Sequence, residues 1–218
     1  MHQKKSLNRK GFLKVLGVGL LALPATGYGL KTTQTDQEPP PLPKDNHCGF
    51  TDPATEGPFF VANTAEVVNI NFTSLPGTPI KVQGTVYSGK RGNIPLANVK
   101  IEIWHADREG VYHPAGDGDI ADYDSSEIAL RGHVYTNAKG EYAFHSIRPG
   151  IYGSRRRHIH YKITAPKHRS LTTQTYWLEE KNNHRDRTDR NTEECRYINF
   201  KKNSRGIEVG TFDIYLKR

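Results

Sequence analysis

Short runs that alternate apolar and polar residues dominate the chain beyond position 47, and no long run repeats apolar residues at helical spacing. A period of two places apolar side chains on one face of a β-strand and polar side chains on the other. Five such runs predict strands, at 81–87, 99–104, 141–144, 158–163 and 211–216. Turn-forming residues occur at 91–93, 137–140 and 148–150. The sequence therefore predicts an all-β fold, an antiparallel β-sandwich with long functional loops.

The first 29 residues have the three regions of a cleavable export signal. Basic residues precede a short apolar run, 15–23, and small residues follow at 25–29. The apolar run is too short to span a bilayer. The segment 8–14 is similar to the twin-arginine export motif, with Lys10 in the second basic place. We therefore expect an exported protein, periplasmic or extracellular; the alternative is an amphipathic helix on a membrane surface.

The rest of the chain divides into a tether and one domain. Residues 30–46 are polar and proline-rich, which is typical of a flexible or extended linker. The remaining residues, 47–218, suit a single domain with one core. We expect the β-sandwich to occupy that range and no membrane span in the mature chain.

The basic composition of the chain comes largely from its signal. The formal net charge of +8 includes five cations before residue 27, so the mature chain carries 26 basic and 23 acidic residues, a net of +3. This charge is not typical of a nucleic-acid-binding protein. Two denser stretches remain. Within the triplet 155–157 we expect Arg156 and Arg157 to be surface cations, and we expect 179–205 to be a solvated loop.

The sequence contains two cysteines, Cys48 and Cys195. In an exported protein they could form a disulfide, which would stabilise the fold by about 4 kcal/mol in the chain-entropy model. Sequence alone does not show that they meet. Neither lies in a CxxC motif or near the histidines, so we expect no metal-binding or nucleophilic role for them.

A metal site is indicated by four residues, Tyr112, Tyr152, His158 and His160. The two histidines are separated by one residue, so on a strand their imidazoles point to the same side. Two imidazoles and two phenolates form a ligand set rich in hard, anionic oxygen, which suits a ferric ion better than zinc or copper. Taken alone, such a histidine pair is also compatible with a solvent-facing or hydrogen-bonded pair, and each tyrosine with a core or rim residue.

An ordered series of motifs resembles the intradiol ring-cleavage dioxygenases, the family of protocatechuate 3,4-dioxygenase and catechol 1,2-dioxygenase. The motifs lie at 55–59, 95–96, 101–107, 110–112, 130–132, 136–140, 144, 147–152 and 155–160. The resemblance runs from about residue 48 to 177 and is weak beyond that point. Only five residues separate Tyr152 from His158, which resembles the compact exported members of the family.

The resemblance implies a non-haem dioxygenase with one Fe(III) per chain, bound by Tyr112, Tyr152, His158 and His160. In the family, the counterpart of Tyr112 stays on the iron and that of Tyr152 leaves it. The counterparts of Arg155 and Gln174 lie beside the substrate, so the expected catalytic residues are Arg155, Gln174 and Tyr152.

The implied reaction cleaves a catechol-type ring between its two hydroxyl-bearing carbons with O2 and gives a cis,cis-muconate-type diacid. The resemblance implies an oxidoreductase that incorporates both atoms of O2. Its expected partners are the catechol and O2, without nucleic acid, and assembly into a homo-oligomer is compatible with it.

Two other interpretations are open. His105 and Asp107 form the HxD pattern of an Fe(II) oxygenase with two histidines and one carboxylate, with His158 or His160 as the third ligand. This interpretation leaves both tyrosines unused. The chain also resembles transthyretin-like β-sandwich modules, which bind partners without a metal and do not need the histidine pair.

Overall fold

The structure of the protein is a computed structural model that describes residues 49–90, 92, 94–182, 186–189 and 192–218. The expected export signal (1–29), the expected tether (30–46) and Cys48 lie outside the described residues. The described residues belong to one compact unit, Pro43–Arg218. None of the described helices is long and apolar enough to cross a lipid bilayer.

The described residues form strands and short 3-10 helices, and the predicted all-β class is confirmed. The strands are β1 Val61–Ala62, β2 Pro79–Ser88, β3 Ile94–Pro95, β4 Lys100–Trp104, β5 Gly118–Asp119, β6 Arg131–Tyr135, β7 Glu141–Ile147, β8 His158–Thr164, β9 Leu171–Trp177, β10 Tyr197–Ile198, β11 Lys201–Lys202, β12 Glu208–Thr211 and β13 Ile214–Leu216. The 3-10 helices are Ile120–Asp122, Ser125–Glu127, Leu178–Glu180 and Glu194–Arg196. Cys195, in the last of these helices, is disulfide-bonded.

Two large sheets share one apolar core. The five-stranded sheet has the order β10-β9-β8-β4-β6, and the six-stranded sheet has the order β11-β12-β2-β13, with β3 and β7 also paired to β2. A single cluster of buried side chains contains members of both sheets, and Phe144 of β7 meets Tyr161 of β8 with ring centroids 6.2 Å apart. The sheets therefore pack face to face as a sandwich.

The prediction of an antiparallel sandwich holds for the inner strand pairs and is wrong for several outer pairs. Strands β12 and β13 run parallel to β2, and β10 runs parallel to β9. The short strands β1 and β5 are also parallel. The direction of a pair depends on how the intervening chain returns to the sheet, and an alternating pattern does not encode that path. The inner pairs β4–β6, β4–β8, β8–β9 and β2–β7 are antiparallel as predicted.

The predicted strand 211–216 is broken into β12 and β13 at Phe212 and Asp213. Side chains replace the regular ladder there: the Tyr142 hydroxyl donates to the Phe212 carbonyl at 2.7 Å, and the Thr85 N–H donates to the Asp213 carboxylate at 2.9 Å. A Cβ on Gly84 would lie 1.9 Å from the Phe212 oxygen. The close approach at this break therefore requires glycine on β2.

Strand β8 divides its side chains between the core and a functional face. Ile159, Tyr161 and Ile163 are fully buried in the shared core, and each such burial contributes about 1.5–3 kcal/mol relative to an exposed side chain. His158 and His160 alternate with them, so they point to the opposite face of the sheet. Packing of the apolar residues thus fixes the direction of both imidazoles.

Candidate metal centre

Neighbouring strands surround the two histidines with aromatic and polar side chains. In the sheet register, His160 lies opposite Trp104 of β4 and Gln174 of β9, and His158 lies opposite Tyr176 of β9. The Trp104 ring stacks on the His160 ring with centroids 4.8 Å apart and an angle of 11° between the planes. Both histidines are buried although they lie on the outer face of the sheet. Loops therefore cover this face.

The loop that follows β4 places Tyr112 beside the two histidines. The Asp107 carboxylate shapes this loop by accepting the N–H groups of Glu109 and Val111, each at 2.9 Å. The Asp107 carbonyl also accepts the N–H of Gly150 at 2.6 Å, which joins the loop to the segment before β8. A Cβ on Gly110, whose φ is +86°, would lie 2.2 Å from the Ile151 oxygen. The two tyrosine-bearing loops thus touch backbone to backbone.

The Tyr112 hydroxyl lies 3.2 Å from Nε2 of His158 and 3.1 Å from Nε2 of His160. These are three of the four residues that the sequence identifies as ligands. Tyr112 is only 4% exposed, and the Phe59 ring stacks on it at 4.1 Å. One phenol oxygen and two imidazole nitrogens therefore converge in a site from which solvent is largely excluded.

Tyr152 lies beside Tyr112 but remains open to solvent. The two rings are 5.5 Å apart in an edge-on arrangement, and Tyr152 is 39% exposed. A turn at Gly153, closed by the Arg155 N–H on the Tyr152 carbonyl at 2.9 Å, presents this side chain at the mouth of the site. Within the described part of the chain its hydroxyl forms no hydrogen bond. Tyr152 is therefore the most accessible of the four expected ligands.

Burial keeps both imidazoles neutral. It lowers the pKa of His158 to about 4, with the nearby Arg155 charge acting in the same direction, and it lowers the pKa of His160 well below its usual value. His158 uses its Nδ1–H to donate to the Arg156 carbonyl at 2.6 Å, so its Nε2 carries the lone pair. A neutral imidazole with its other nitrogen held in this way is the usual form of a metal ligand.

The phenol of Tyr112 is also kept uncharged by its surroundings. Burial raises its pKa above the usual 10, and Arg155 opposes this only in part. A highly charged cation reverses that preference, because it binds the deprotonated oxygen directly. Burial thus makes proton loss from Tyr112 dependent on a bound cation.

The donor atoms fit a metal ion. Ligands that bind one ion at about 2.1 Å and at right angles lie about 3 Å from one another. The separations of 3.1 and 3.2 Å between the Tyr112 oxygen and the two Nε2 atoms match that spacing. With Tyr152 adjacent, the set of two imidazoles and two phenols suits Fe(III).

A polar layer lies next to the donors. Arg155 donates through Nη2 to Gln174 Oε1 at 2.6 Å, and Gln174 Nε2 donates to the Thr55 carbonyl at 2.6 Å. The Tyr176 hydroxyl donates to an Asp189 carboxylate oxygen at 2.6 Å and lies 2.8 Å from Gln174 Oε1. The structure therefore brings Arg155 and Gln174, the residues expected beside the substrate, into one network.

Arg156 and Arg157 are not the surface cations that we expected. Arg156 is 3% exposed, stacks over the Tyr176 ring at 4.7 Å and contacts the hydroxyl of Tyr197. Arg157 donates through its backbone N–H and through Nε to the Glu180 carboxylate at 2.9 and 2.8 Å. Each arginine of the triplet has a carboxylate partner, because a buried guanidinium is stable only when it is paired.

The segment 179–205 is likewise more than a solvated loop. It supplies Asp186, whose side chain is fully buried, and it supplies Arg196, which pairs with Asp189 at 2.6 Å. Sequence reasoning missed these residues. The only signal for them was the mixture of charges itself, since buried arginines upstream require acidic partners from elsewhere in the chain.

The alternative HxD site has no free donors. His105 is fully buried, and its nitrogens lie 2.6 Å from the Ala106 carbonyl and 2.7 Å from the Ser146 hydroxyl. Asp107 is engaged with its own loop and with His113 at 2.9 Å. Among the described residues, no group of three histidine, cysteine or acidic side chains could hold a metal. The HxD pair therefore stabilises the end of β4 and the loop that carries Tyr112.

Comparison with known proteins identifies relatives of this arrangement. The sequence model of a family described as "Dioxygenase" matches residues 55–193, more than half of the chain. Catechol 1,2-dioxygenase 2 from Acinetobacter lwoffii is 32% identical over 149 residues, which cover 58% of this chain and 50% of that enzyme. Hydroxyquinol 1,2-dioxygenase from Nocardioides simplex is 30% identical over 150 residues, 60% of this chain and 48% of that enzyme. The chain thus spans about half the length of these curated relatives.

One solved structure is similar to this chain over nearly all of that structure's own length. It is the dioxygenase domain of a dioxygenase and carbohydrate-binding protein fusion from the cellulolytic bacterium Streptomyces sp. SirexAA-E. The identity is 33% and the TM-score 0.64, and the match covers 77% of this chain and 98% of that one.

The two interpretations of the histidines predict different effects of a substitution at Asp107 on iron content. His160→Ala removes a converging nitrogen, so we expect the purified protein to lose most of its iron. Asp107→Asn keeps an oxygen that can accept the loop N–H groups, so we expect iron to stay near the wild-type level. Elemental analysis of the two variants measures this. Loss of iron in Asp107→Asn would favour the HxD site instead.

Proposed function

Because the chain belongs to the intradiol ring-cleavage dioxygenase family, we propose that it cleaves catechol-type rings between the two hydroxyl-bearing carbons with O2. The products are cis,cis-muconate-type diacids. The observation that carries this proposal is the convergence of the Tyr112 oxygen on the Nε2 atoms of His158 and His160.

The four donors Tyr112, Tyr152, His158 and His160 would hold a single Fe(III) per chain. When bound, a ferric ion would supply a Lewis acid for the two catechol oxygens and so make the ring more reactive towards O2. Two phenolates stabilise the oxidised ion, so this donor set favours activation of the organic substrate over reduction of O2 by the metal. The buried histidines and Tyr112 form the fixed part of the site.

Tyr152 is the group best placed to accept a proton from the substrate. Its hydroxyl is solvent-accessible and has no hydrogen-bond partner among the described residues, whereas Tyr112 is enclosed. A catechol that enters from the solvent side reaches Tyr152 first. A bound ferric ion would hold Tyr152 as a phenolate, and we assign to that phenolate oxygen the removal of one catechol hydroxyl proton.

Arg155 supplies fixed positive charge beside the donors. Its side chain is 12% exposed, and its Nη1 nitrogen forms no hydrogen bond with the described residues. That nitrogen therefore remains available for negative charge that develops on the ring and on oxygen during the reaction. Gln174 contributes indirectly, because its Oε1 anchors the Nη2 side of the same guanidinium.

The reaction balances without a further reductant. The bond between the two hydroxyl-bearing carbons breaks, and each of these carbons gains one oxygen atom from O2. The four electrons that O2 accepts come from these two carbons, which rise from the oxidation level of a phenol to that of a carboxylic acid, and the two hydroxyl protons end on the carboxyl groups of the diacid.

The two alternatives find less support. A two-histidine, one-carboxylate Fe(II) site would need His105 or Asp107 free, and both are engaged elsewhere. A non-catalytic transthyretin-like module would not require Tyr112, His158 and His160 to meet in a buried site, nor a buried arginine beside them. The relatives named above are dioxygenases.

We also propose that the protein works outside the cytoplasm, in the periplasm or the extracellular space. The support is the signal-like sequence of residues 1–29 and the disulfide at Cys195, since disulfides persist in oxidising compartments. The mass of the chain recovered from the exported fraction measures this, and an uncleaved chain found only in the cytosol would contradict it.

Labelled oxygen tests the reaction directly. With catechol and 18O2, we expect one O2 consumed per ring and both labelled atoms in a muconate-type diacid, measured by mass spectrometry of the product. Cleavage beside the diol, or one labelled atom in a hydroxylated ring, would point to another oxygenase class. His160→Ala protein is the control for oxidation that does not depend on the site.

A further inference from the structure

We propose that Asp186 is a positioning residue for the ring-cleavage reaction: it holds the Arg155 guanidinium in its working orientation at the metal centre. This inference rests on the proposed function and extends it to a residue outside the ligand set and outside the substrate-facing pair. It assigns a role to a carboxylate in a segment whose sequence looks like a charged surface loop.

Asp186 binds Arg155 at the Nε edge of its guanidinium. Its two carboxylate oxygens accept from Arg155 Nε at 3.0 and 3.1 Å. Gln174 Oε1 accepts from Nη2 at 2.6 Å. Two partners therefore fix the plane of the guanidinium and leave Nη1 for the substrate. An arginine side chain has four rotatable bonds, so this orientation would otherwise be one of many.

The same carboxylate also fixes the backbone that leads into the histidine pair. The Arg156 N–H donates to Asp186 Oδ2 at 3.1 Å, and the Arg156 carbonyl accepts the Nδ1–H of His158 at 2.6 Å. Arg155 and the support of His158 are thus tied to one acidic side chain. Asp186 contacts the Arg155 side chain directly and reaches His158 only through Arg156.

Asp186 is itself held rigidly as an anion. Its side chain is fully buried, and the Thr188 N–H donates to Oδ1 at 3.0 Å. Burial alone would raise the pKa of Asp186, but the Arg156 N–H and the Arg155 charge outweigh burial and lower it. A buried carboxylate with this many donors is a fixed point to which a mobile side chain can be attached.

Asp186 differs in this respect from the other acidic residues of the segment. Asp189 pairs with Arg196 and Tyr176, and Glu194 pairs with Lys181 on the surface. Among the described residues, Asp186 is the only carboxylate bonded to Arg155. If the segment were only structural, Asp186 would need no contact that its acidic neighbours lack. Its contact with Arg155 therefore supports a positioning role.

The test is a double-mutant cycle on turnover of catechol by iron-loaded protein. Arg155→Leu should lower kcat on the order of 10²-fold, the scale for loss of one preorganised electrostatic group. Asp186→Asn keeps the size of the side chain but removes the charge and places donors opposite donors, so kcat should fall on the order of 10-fold or more. In the Arg155→Leu background, Asp186→Asn should cause no further loss, because the residue it acts through is gone.

Two readouts separate positioning from loss of structure. Iron content and the visible absorption of Asp186→Asn should equal those of the wild type, since no ligand is removed. Glu194→Gln, which breaks an exposed ion pair in the same segment, should leave turnover unchanged. If Asp186→Asn alone does not fold, the turnover of Arg155→Leu is compared with that of the double variant. We expect these two variants to have equal turnover.

The proposal is overturned if Asp186→Asn turns over like the wild type. It is also overturned if the losses of the two substitutions multiply, because Asp186 would then act independently of Arg155. Loss of iron in Asp186→Asn would assign the residue to the support of the ligands instead. If wild-type protein with bound iron cleaves no catechol, the proposed function fails, and the inference that rests on it fails with it.

Discussion

The period of two along β8 is the constraint on which the rest of the structure depends. Ile159, Tyr161 and Ile163 are drawn into the core between the sheets, and the same alternation directs His158 and His160 to the opposite face. A shift of the register by one residue would bury the imidazoles in the core and expose the apolar residues. The free energy of core packing thereby fixes the direction of two expected metal ligands.

Charge pairing determines the layer behind that site. Arg155, Arg156 and Arg157 lie immediately before β8 and are all largely withdrawn from solvent. A buried guanidinium without a partner would cost several kcal/mol. The chain supplies Glu180 and Asp186 from the segment that follows β9, so this segment is held against the site by ion pairs. The segment 179–205 thus contributes to the layer behind the candidate site although none of its members is an expected ligand.

The sequence predicted the features that are local or that follow from spacing. The central strands and the common direction of His158 and His160 depend on residues close together in the chain. The ligand set came from resemblance, and the structure places Tyr112 between the histidines, 46 and 48 residues away from them. The parallel pairing of β12 with β2 could not be predicted, since alternation does not encode direction. Nor could the buried roles of Arg156 and Asp186, since partners 30 residues apart leave no periodic signal.

The central claim is that Tyr112 and the two Nε2 atoms bind ferric iron together, and the visible absorption spectrum of purified, iron-loaded protein tests it most directly. Charge transfer from a tyrosinate to Fe(III) absorbs visible light, so the account predicts a red-brown protein. Tyr112→Phe removes the enclosed phenolate and should shift or abolish the band. A wild-type protein that contains a full complement of iron and is colourless would contradict the claim.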